Sequence, residues 1–284
     1  MITGKTKNLG VMGWPIAHSL SPVLQNAAIE KAGLDYAYLA LPVPPEKLEK
    51  AVEGLRAMGF RGFNVTIPHK SAIIPLLDEV EEAALAIGAV NTVAEREGRL
   101  LGYNTDTLGF LEALREQGFS PKGKKALLLG AGGAARAVIW ALTREGTEWI
   151  TLSARNPAKA ESLAEEFRQY GDIRALSWEG EDFCRAMREA DLLVNTTPLG
   201  MHPREDAMAP VDLRDLKEGA LVYDVIYTPA ETKLLREAAS LGHPTLNGEG
   251  MLVGQGAAAF RLWTGVDPDR DLMKKVLREF LGNC

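Results

Sequence analysis

Two stretches carry residues whose types and spacing suit chemistry. In KKALLLGAGGAARAVIWAL, 124–142, Gly130, Gly132 and Ala135 form a G-x-G-x-x-A arrangement between a buried-strand run and a helical pattern. Gly130 permits a tight turn, Gly132 lets backbone approach a pyrophosphate, and small Ala135 allows close helix–strand packing; free N–H groups at the helix start attract phosphate. Ala131, Gly133 and Ala134 complete this loop. The glycine spacing alone fits any tight turn; strand, turn and helix in that order favour a dinucleotide. The second stretch, RGFNVTIPHK at 61–70, begins as a buried strand would, with Phe63, Val65 and Ile67 alternating, yet gathers Asn64, Thr66 and Lys70 around Pro68. Polar groups set in apolar surroundings call for a small polar ligand.

The next strand pattern, WITLSARN, ends where an NAD-binding protein would carry an acidic residue for the ribose 2′-hydroxyl. Here the residues are Ser153, Ala154, Arg155 and Asn156, with Lys159 one helical turn on. Arg155 can pair bidentately with a 2′-phosphate and stack on adenine, so the expected cofactor is NADP(H). The alternative for Arg155 is a solvated charge at a strand end.

The elements that must position these residues alternate in type. Strand-like runs at Leu9–Met12, Tyr36–Val43 and Phe63–Ile67 are separated by helical patterns starting at Ser21–Pro22 and Pro45, the latter with Leu48, Val52 and Leu55 at helical spacing. This βαβα order predicts a mostly parallel sheet. Residues 90–106 place Gly98 between two short apolar runs and read as a hairpin, followed by a helix from about Thr107 to Gln117. The turn-rich segment 118–124 leads into strands at 125–129, 149–153, 191–196 and 221–226, with helices at 133–145 and 157–169. That pattern predicts a doubly wound nucleotide domain. Two helices, about 250–264 and 268–281, close the sequence with no strand after them. The fold class is therefore α/β with two domains: a mostly parallel substrate domain of residues 1–106 and 247–284, and a Rossmann-type domain of residues 107–246.

With 284 residues, 46% of them hydrophobic, the chain can bury a sizeable core. A net charge of −6 and no run of Lys or Arg argue against nucleic acid or an anionic membrane surface as partner. Cys184 and Cys284 lack metal-ligand or disulfide spacing, and His18, His69, His202 and His243 read as structural. No apolar run is long enough to span a bilayer, and the protein is expected in the cytoplasm. It is expected to be a monomer or a homodimer.

Five polar motifs flanked by apolar residues, HSLSP, NVTIPHK, AVNT, GYNTD and GMLVGQGAAAF, together with GAGGAA, resemble the shikimate dehydrogenase family in order and spacing along essentially the whole chain. The resemblance implies NADPH-dependent, reversible reduction of 3-dehydroshikimate to shikimate in aromatic amino-acid biosynthesis, in a cleft between two α/β domains and without a metal. It implies Lys70 and Asp106 as the catalytic pair. An ammonium beside the substrate oxygen suits the alkoxide charge that hydride transfer develops, so Lys70 takes the proton-transfer role and Asp106 an orienting one. Taken singly, Lys70 is a solvated lysine at a helix start and Asp106 a helix N-cap.

By the same resemblance Ser19 and Ser21 bind the substrate carboxylate; capping would explain Ser21 but not Ser19. Threonine or glycine at the second serine accompanies quinate use in the family, so this pair points to shikimate. Asn64, Thr66, Asn91 and Gln255 supply donors and acceptors for a ring with three oxygen substituents, and Tyr227 in DVIYTP resembles a carboxylate-side tyrosine. Val225 and Gly248 match positions lining the nicotinamide pocket, and NTTPLGM, 195–201, a loop beside it. Glu82 matches a cofactor-side position, with a surface carboxylate as the alternative. The sequence departs from the family at 154–156, where Ala154 and Asn156 flank the arginine in place of the usual Asn and Thr. Two other readings remain at this point: a broader quinate/shikimate dehydrogenase, and a non-catalytic dinucleotide-responsive binding protein.

Overall fold

A near-continuous apolar run builds the centre of the first sheet. Strand β1 (Lys7–Gly13) is buried from Leu9 onward, as a strand covered on both faces must be. A computed structural model describes residues 2–282, so Cys284 lies outside the described residues. The polypeptide folds as two units, one running to Gly109 and resuming at Val253, the other Phe110–Leu252.

The first unit continues with α1 (Ser21–Lys31), β2 (Tyr36–Pro42), α2 (Leu48–Ala57), β3 (Gly62–Val65), β4 (Glu79–Val80), α3 (Glu82–Ile87), β5 (Thr92–Arg96) and β6 (Arg99–Tyr103). The sheet order is β2-β1-β3-β5-β6-β4. Pairs β1–β2, β1–β3 and β4–β6 are parallel, whereas the β5–β6 hairpin makes β3–β5 and β5–β6 antiparallel. Leu48, Val52 and Leu55 of α2 are buried as their spacing predicts. Strand β3 stops at Val65, and Ile67, expected to point inward, is 74% exposed. The alternation fails there because the chain turns through Pro68, a turn closed where the His69 N–H donates to Thr66 O at 2.9 Å.

Helix α4 (Asp106–Glu116) leads from the first unit into the second, which contains β7 (Lys125–Leu129), α5 (Gly133–Arg144), β8 (Trp149–Ser153), α6 (Pro157–Phe167), β9 (Ile173–Leu176), α7 (Glu181–Glu189), β10 (Leu192–Asn195), β11 (Leu221–Asp224), α8 (Lys233–Ser240) and β12 (Thr245–Leu246). Its sheet, β12-β11-β10-β7-β8-β9, is parallel throughout and has the doubly wound order, which reverses between β7 and β10.

Helix α9 (Glu249–Thr264) returns the chain to the first unit, where α10 (Arg270–Gly282) packs on α1. The indole N–H of Trp263 donates to Val93 O at 2.9 Å, and Gln25 Nε2 donates to Gly256 O at 2.9 Å. Gly62 makes room: a Cβ there would lie 2.2 Å from Trp263 Nε1.

Candidate active site

In the first unit, strand register sets Asn64 of β3 opposite Thr92 of β5, and Thr92 opposite Tyr103 of β6. Lys70 follows the turn after β3, its backbone fixed where the Val90 N–H donates to Lys70 O at 2.8 Å. Buried His69, with Nε2 2.7 Å from Val43 O, anchors the same turn. Lys70 is thus a turn residue, not a helix start. Its ammonium donates to Asp106 Oδ2 at 2.7 Å, and Asn91 Nδ2 donates to Asp106 Oδ1 at 2.8 Å. Both members of the pair keep some exposure, 31% for the Lys70 side chain and 17% for that of Asp106, so a solute can reach them.

Asp106 is the first residue of α4 and does not cap it. Asn104 Oδ1 accepts from the Asp106 N–H at 3.1 Å, which leaves the Asp106 carboxylate for Lys70 and Asn91. The helix N-terminus also favours a negative charge at this position.

Around the pair, the half-buried Thr66 hydroxyl has no partner among the described residues. Asn64 is buried and inwardly bonded: Nδ2 donates to Asn91 O at 3.1 Å and to Thr92 Oγ1 at 3.0 Å, while Oδ1 accepts from Tyr38 Oη at 2.6 Å. At the start of α1 the expected roles of the serines exchange. Ser19 Oγ accepts from the Ser21 N–H at 3.4 Å, whereas Ser21 caps nothing and its hydroxyl lies beside the phenol of Tyr38. Gln255 sits half-buried on α9 in the same unit. The sequence does not single out Tyr38, Thr92 or Thr105. Tyr38 reads there as an ordinary strand aromatic, and both threonines lie inside motifs whose asparagine and aspartate draw attention first.

The glycine-rich loop of the second unit ends β7 at the point where strand order reverses. Gly130 has φ 114°, and a Cβ there would lie 2.7 Å from Thr196 Oγ1 at the end of β10, so only glycine fits. Gly132 and Gly133 face open space at the start of α5, with no atom within 4 Å of an added Cβ, and Ala131 and Ala134 lie before and after them. At the end of β8, Ala154 is buried, and the exposed cations of Arg155 and Lys159 have no charged partner among the described residues. Asn156 caps α6, its Oδ1 accepting from the Lys159 N–H at 3.3 Å. The open glycine backbone and two unpaired cations fit a phosphorylated dinucleotide.

After β11, the Val225 N–H donates to Asn195 O at 3.1 Å, and the Gly248 N–H donates to Ile226 O at 2.8 Å. Tyr227 is half-buried, which raises its phenol pKa, and its hydroxyl has no partner among the described residues. Val225, Tyr227 and Gly248 all belong to the second unit, whereas the other expected substrate residues belong to the first. Glu82, the exposed first residue of α3, belongs to the first unit and not to the nucleotide-binding one.

A doubly wound sheet with a glycine-rich loop at its switch point, carried with a second α/β unit that holds a paired lysine and carboxylate, defines the class as a Rossmann-type oxidoreductase. Comparison with known proteins gives the family. Residues 11–93 match the shikimate dehydrogenase substrate binding domain, 113–199 the shikimate / quinate 5-dehydrogenase family, and 248–278 the shikimate 5'-dehydrogenase C-terminal domain. A shikimate dehydrogenase (NADP(+)) of Methanopyrus kandleri is 46% identical, with 99% of this chain and 98% of that protein covered. The crystal structure of shikimate 5-dehydrogenase from Listeria monocytogenes with shikimate and NAD superposes with TM-score 0.94 at 39% identity, covering 97% and 98% of the two chains. That of the Thermus thermophilus enzyme with NADP(H) and shikimate gives TM-score 0.87 at 43% identity, covering 96% and 99%. The chain belongs to the shikimate dehydrogenase family.

Proposed function

We propose that the chain catalyses the reversible NADPH-dependent reduction of 3-dehydroshikimate to shikimate, with Lys70 as the proton-transfer residue and Asp106 as its orienting partner. The observation that carries this reading is the 2.7 Å contact between Lys70 Nζ and Asp106 Oδ2. The 130–134 loop, Arg155 and Lys159 would hold NADPH, which when bound would supply the hydride. The Lys70 ammonium lies beside the substrate oxygen, offsets the charge that develops there and delivers a proton from Nζ; in the oxidation direction Nζ takes that proton back. Asp106, held by Asn91 on its other oxygen, keeps the amine aimed.

Ser19, Ser21, Asn64, Thr66, Asn91, Gln255 and Tyr227 are assigned to the carboxylate and hydroxyls of the substrate. Thr66 and Tyr227 are the members whose hydroxyls lack protein partners among the described residues, and Asn64 keeps only its Oδ1 for a second acceptor contact. Ala154, Asn156, Val225, Gly248 and Glu82 are assigned to the cofactor's surroundings. A non-catalytic binding protein would have no use for the paired amine and carboxylate. Among the described residues no helix is long and apolar enough to cross a membrane.

The test is direct. Purified protein with shikimate and NADP⁺ is expected to reduce the nicotinamide, with much lower kcat/KM for quinate or for NAD⁺. No turnover of shikimate, or faster turnover of quinate, would overturn the proposal.

A further inference from the structure

The carboxylate of Asp106 is the last member of a buried run of hydrogen bonds in which every donor points the same way. Tyr38 Oη donates to Asn64 Oδ1 at 2.6 Å, Asn64 Nδ2 to Thr92 Oγ1 at 3.0 Å, and Thr92 Oγ1 to Asn91 Oδ1 at 3.0 Å. Asn91 Nδ2 then donates to Asp106 Oδ1 at 2.8 Å, across the carboxylate from the Lys70 ammonium. Tyr38, Asn64, Thr92 and Asn91 are all at most 6% exposed, so water does not compete for these bonds.

We propose that Tyr38 and Thr92 are positioning residues for the reaction, acting through Asn64 and Asn91 to fix the direction in which the Asp106 carboxylate is held.

The orientation of both amides is forced by what their neighbours can do. Asn91 Oδ1 faces three donors, the Thr92 hydroxyl and the N–H and hydroxyl of Thr105, so turning its amide over would set Nδ2 against all three. Its Nδ2 must therefore face Asp106. Asn64 is fixed by the backbone carbonyl of Asn91, which can only accept and so must face Nδ2; Oδ1 is thereby turned to the Tyr38 phenol, which burial keeps protonated and able to donate. Thr92 is the junction of the two side chains: its hydroxyl accepts from Asn64 and lies 3.0 Å from Asn91 Oδ1 and 3.1 Å from Thr105 Oγ1, and a valine would remove that link without change of shape while leaving the direct bond from Asn64 Nδ2 to Asn91 O. Bonds aligned head to tail in a dry interior strengthen one another, and here their polarity converges on an anion. At the other end the Tyr38 phenol lies beside the Ser21 hydroxyl, so the run links the residue assigned to the substrate carboxylate with the residues assigned to proton transfer.

This inference rests on the proposed roles of Lys70 and Asp106, and the experiment separates the two. Thr92→Val is expected to lower kcat for shikimate about tenfold or more while the Kd for NADP⁺ stays at the wild-type value, and Thr92→Ser to recover most of the loss. Tyr38→Phe is expected to act in the same direction, and it carries the test should Thr92→Val fail to fold. In both variants the side-chain amide protons of Asn64, and in Thr92→Val also those of Asn91, are expected to exchange faster with solvent by NMR, whether or not shikimate is turned over. Wild-type kcat in either variant, or a Thr92→Ser enzyme as slow as Thr92→Val, overturns the inference. Full turnover in Lys70→Ala overturns the assignment beneath it, with the exchange data still reporting the hydrogen bonds themselves.

Discussion

Two residues separate the chemistry of the site from its cofactor preference. Lys70 is tied to Asp106 by one direct contact and to the fold by backbone, so Lys70→Ala removes the proton donor with little disturbance elsewhere. Turnover is expected to fall by about 10²- to 10⁴-fold, the range for a positioned acid–base group, while NADP⁺ binding followed by fluorescence is unchanged. Arg155 is exposed and unpaired in the second unit. Arg155→Ala is therefore expected to raise KM for NADP⁺ about tenfold or more and leave KM for NAD⁺ nearly the same, since a charge-assisted phosphate contact contributes about 1.5–3 kcal/mol. Equal effects on both cofactors would mean that Arg155 does not select the phosphate. At this scale the sequence was informative wherever a polar side chain interrupts an apolar run, as at Asn64 and Asn91. It was silent where a residue acts through its neighbour in space. Nothing in the spacing of Tyr38, 26 positions from Asn64, foretells their contact.

Elements were legible in proportion to their apolar content. The strands 125–129 and 149–153 coincide with β7 and β8, both almost wholly buried. Helix α7 escaped because EDFCRAMRE is mostly charged, although Phe183, Ala186 and Met187 sit at helical spacing and are buried. Helix α8 hides its signal in Leu234, Leu235 and Ala238, and β4 has only two residues. The seat of α9 is the least legible feature, because it depends on an absent side chain. A Cβ at Gly62 would meet Trp263 at 2.2 Å and the backbone oxygen of Val93 at 2.6 Å, and the oxygen belongs to a paired strand that cannot yield. Gly62→Ala is expected to destabilise the first unit by about 1–3 kcal/mol, the usual cost of overpacking, measured by urea unfolding with Trp263 emission as the probe. Stability within about 0.5 kcal/mol of wild type would show that α9 can shift without loss.

For the molecule as a whole, the division into two units follows from chain order: βαβα, then a hairpin, then a fresh series of βα repeats, and finally helices with no strand to follow. What composition hides is how the second unit holds its loops together, and that work falls to one buried carboxyl. Asp224, at the end of β11, accepts from Thr232 Oγ1 at 2.7 Å, Asn195 Nδ2 at 3.0 Å and the Ile226 N–H at 3.1 Å, tying the end of β10 to the segment before α8. Burial outweighs these bonds and pushes its pKa up to about 6. The unfolded chain releases this proton near pH 4, so the native state binds it more tightly between the two values. Asp224 thus contributes stability that is complete below pH about 4 and is lost as pH rises through about 6, at roughly 3 kcal/mol in all. Asp212, which hydrogen bonds from Arg214 hold down at about 2, acts in the opposite sense and at lower pH, so the windows do not overlap. In Asp224→Asn the amide can accept from Asn195 and Ile226 and donate to Thr232, so the loops stay tied while the titration vanishes. Urea unfolding of wild type and variant from pH 4 to 7.5 is expected to show a gap that shifts in favour of the variant by about 3 kcal/mol, with the change complete near pH 6.5. A gap that stays constant over that range would place the titrating group elsewhere.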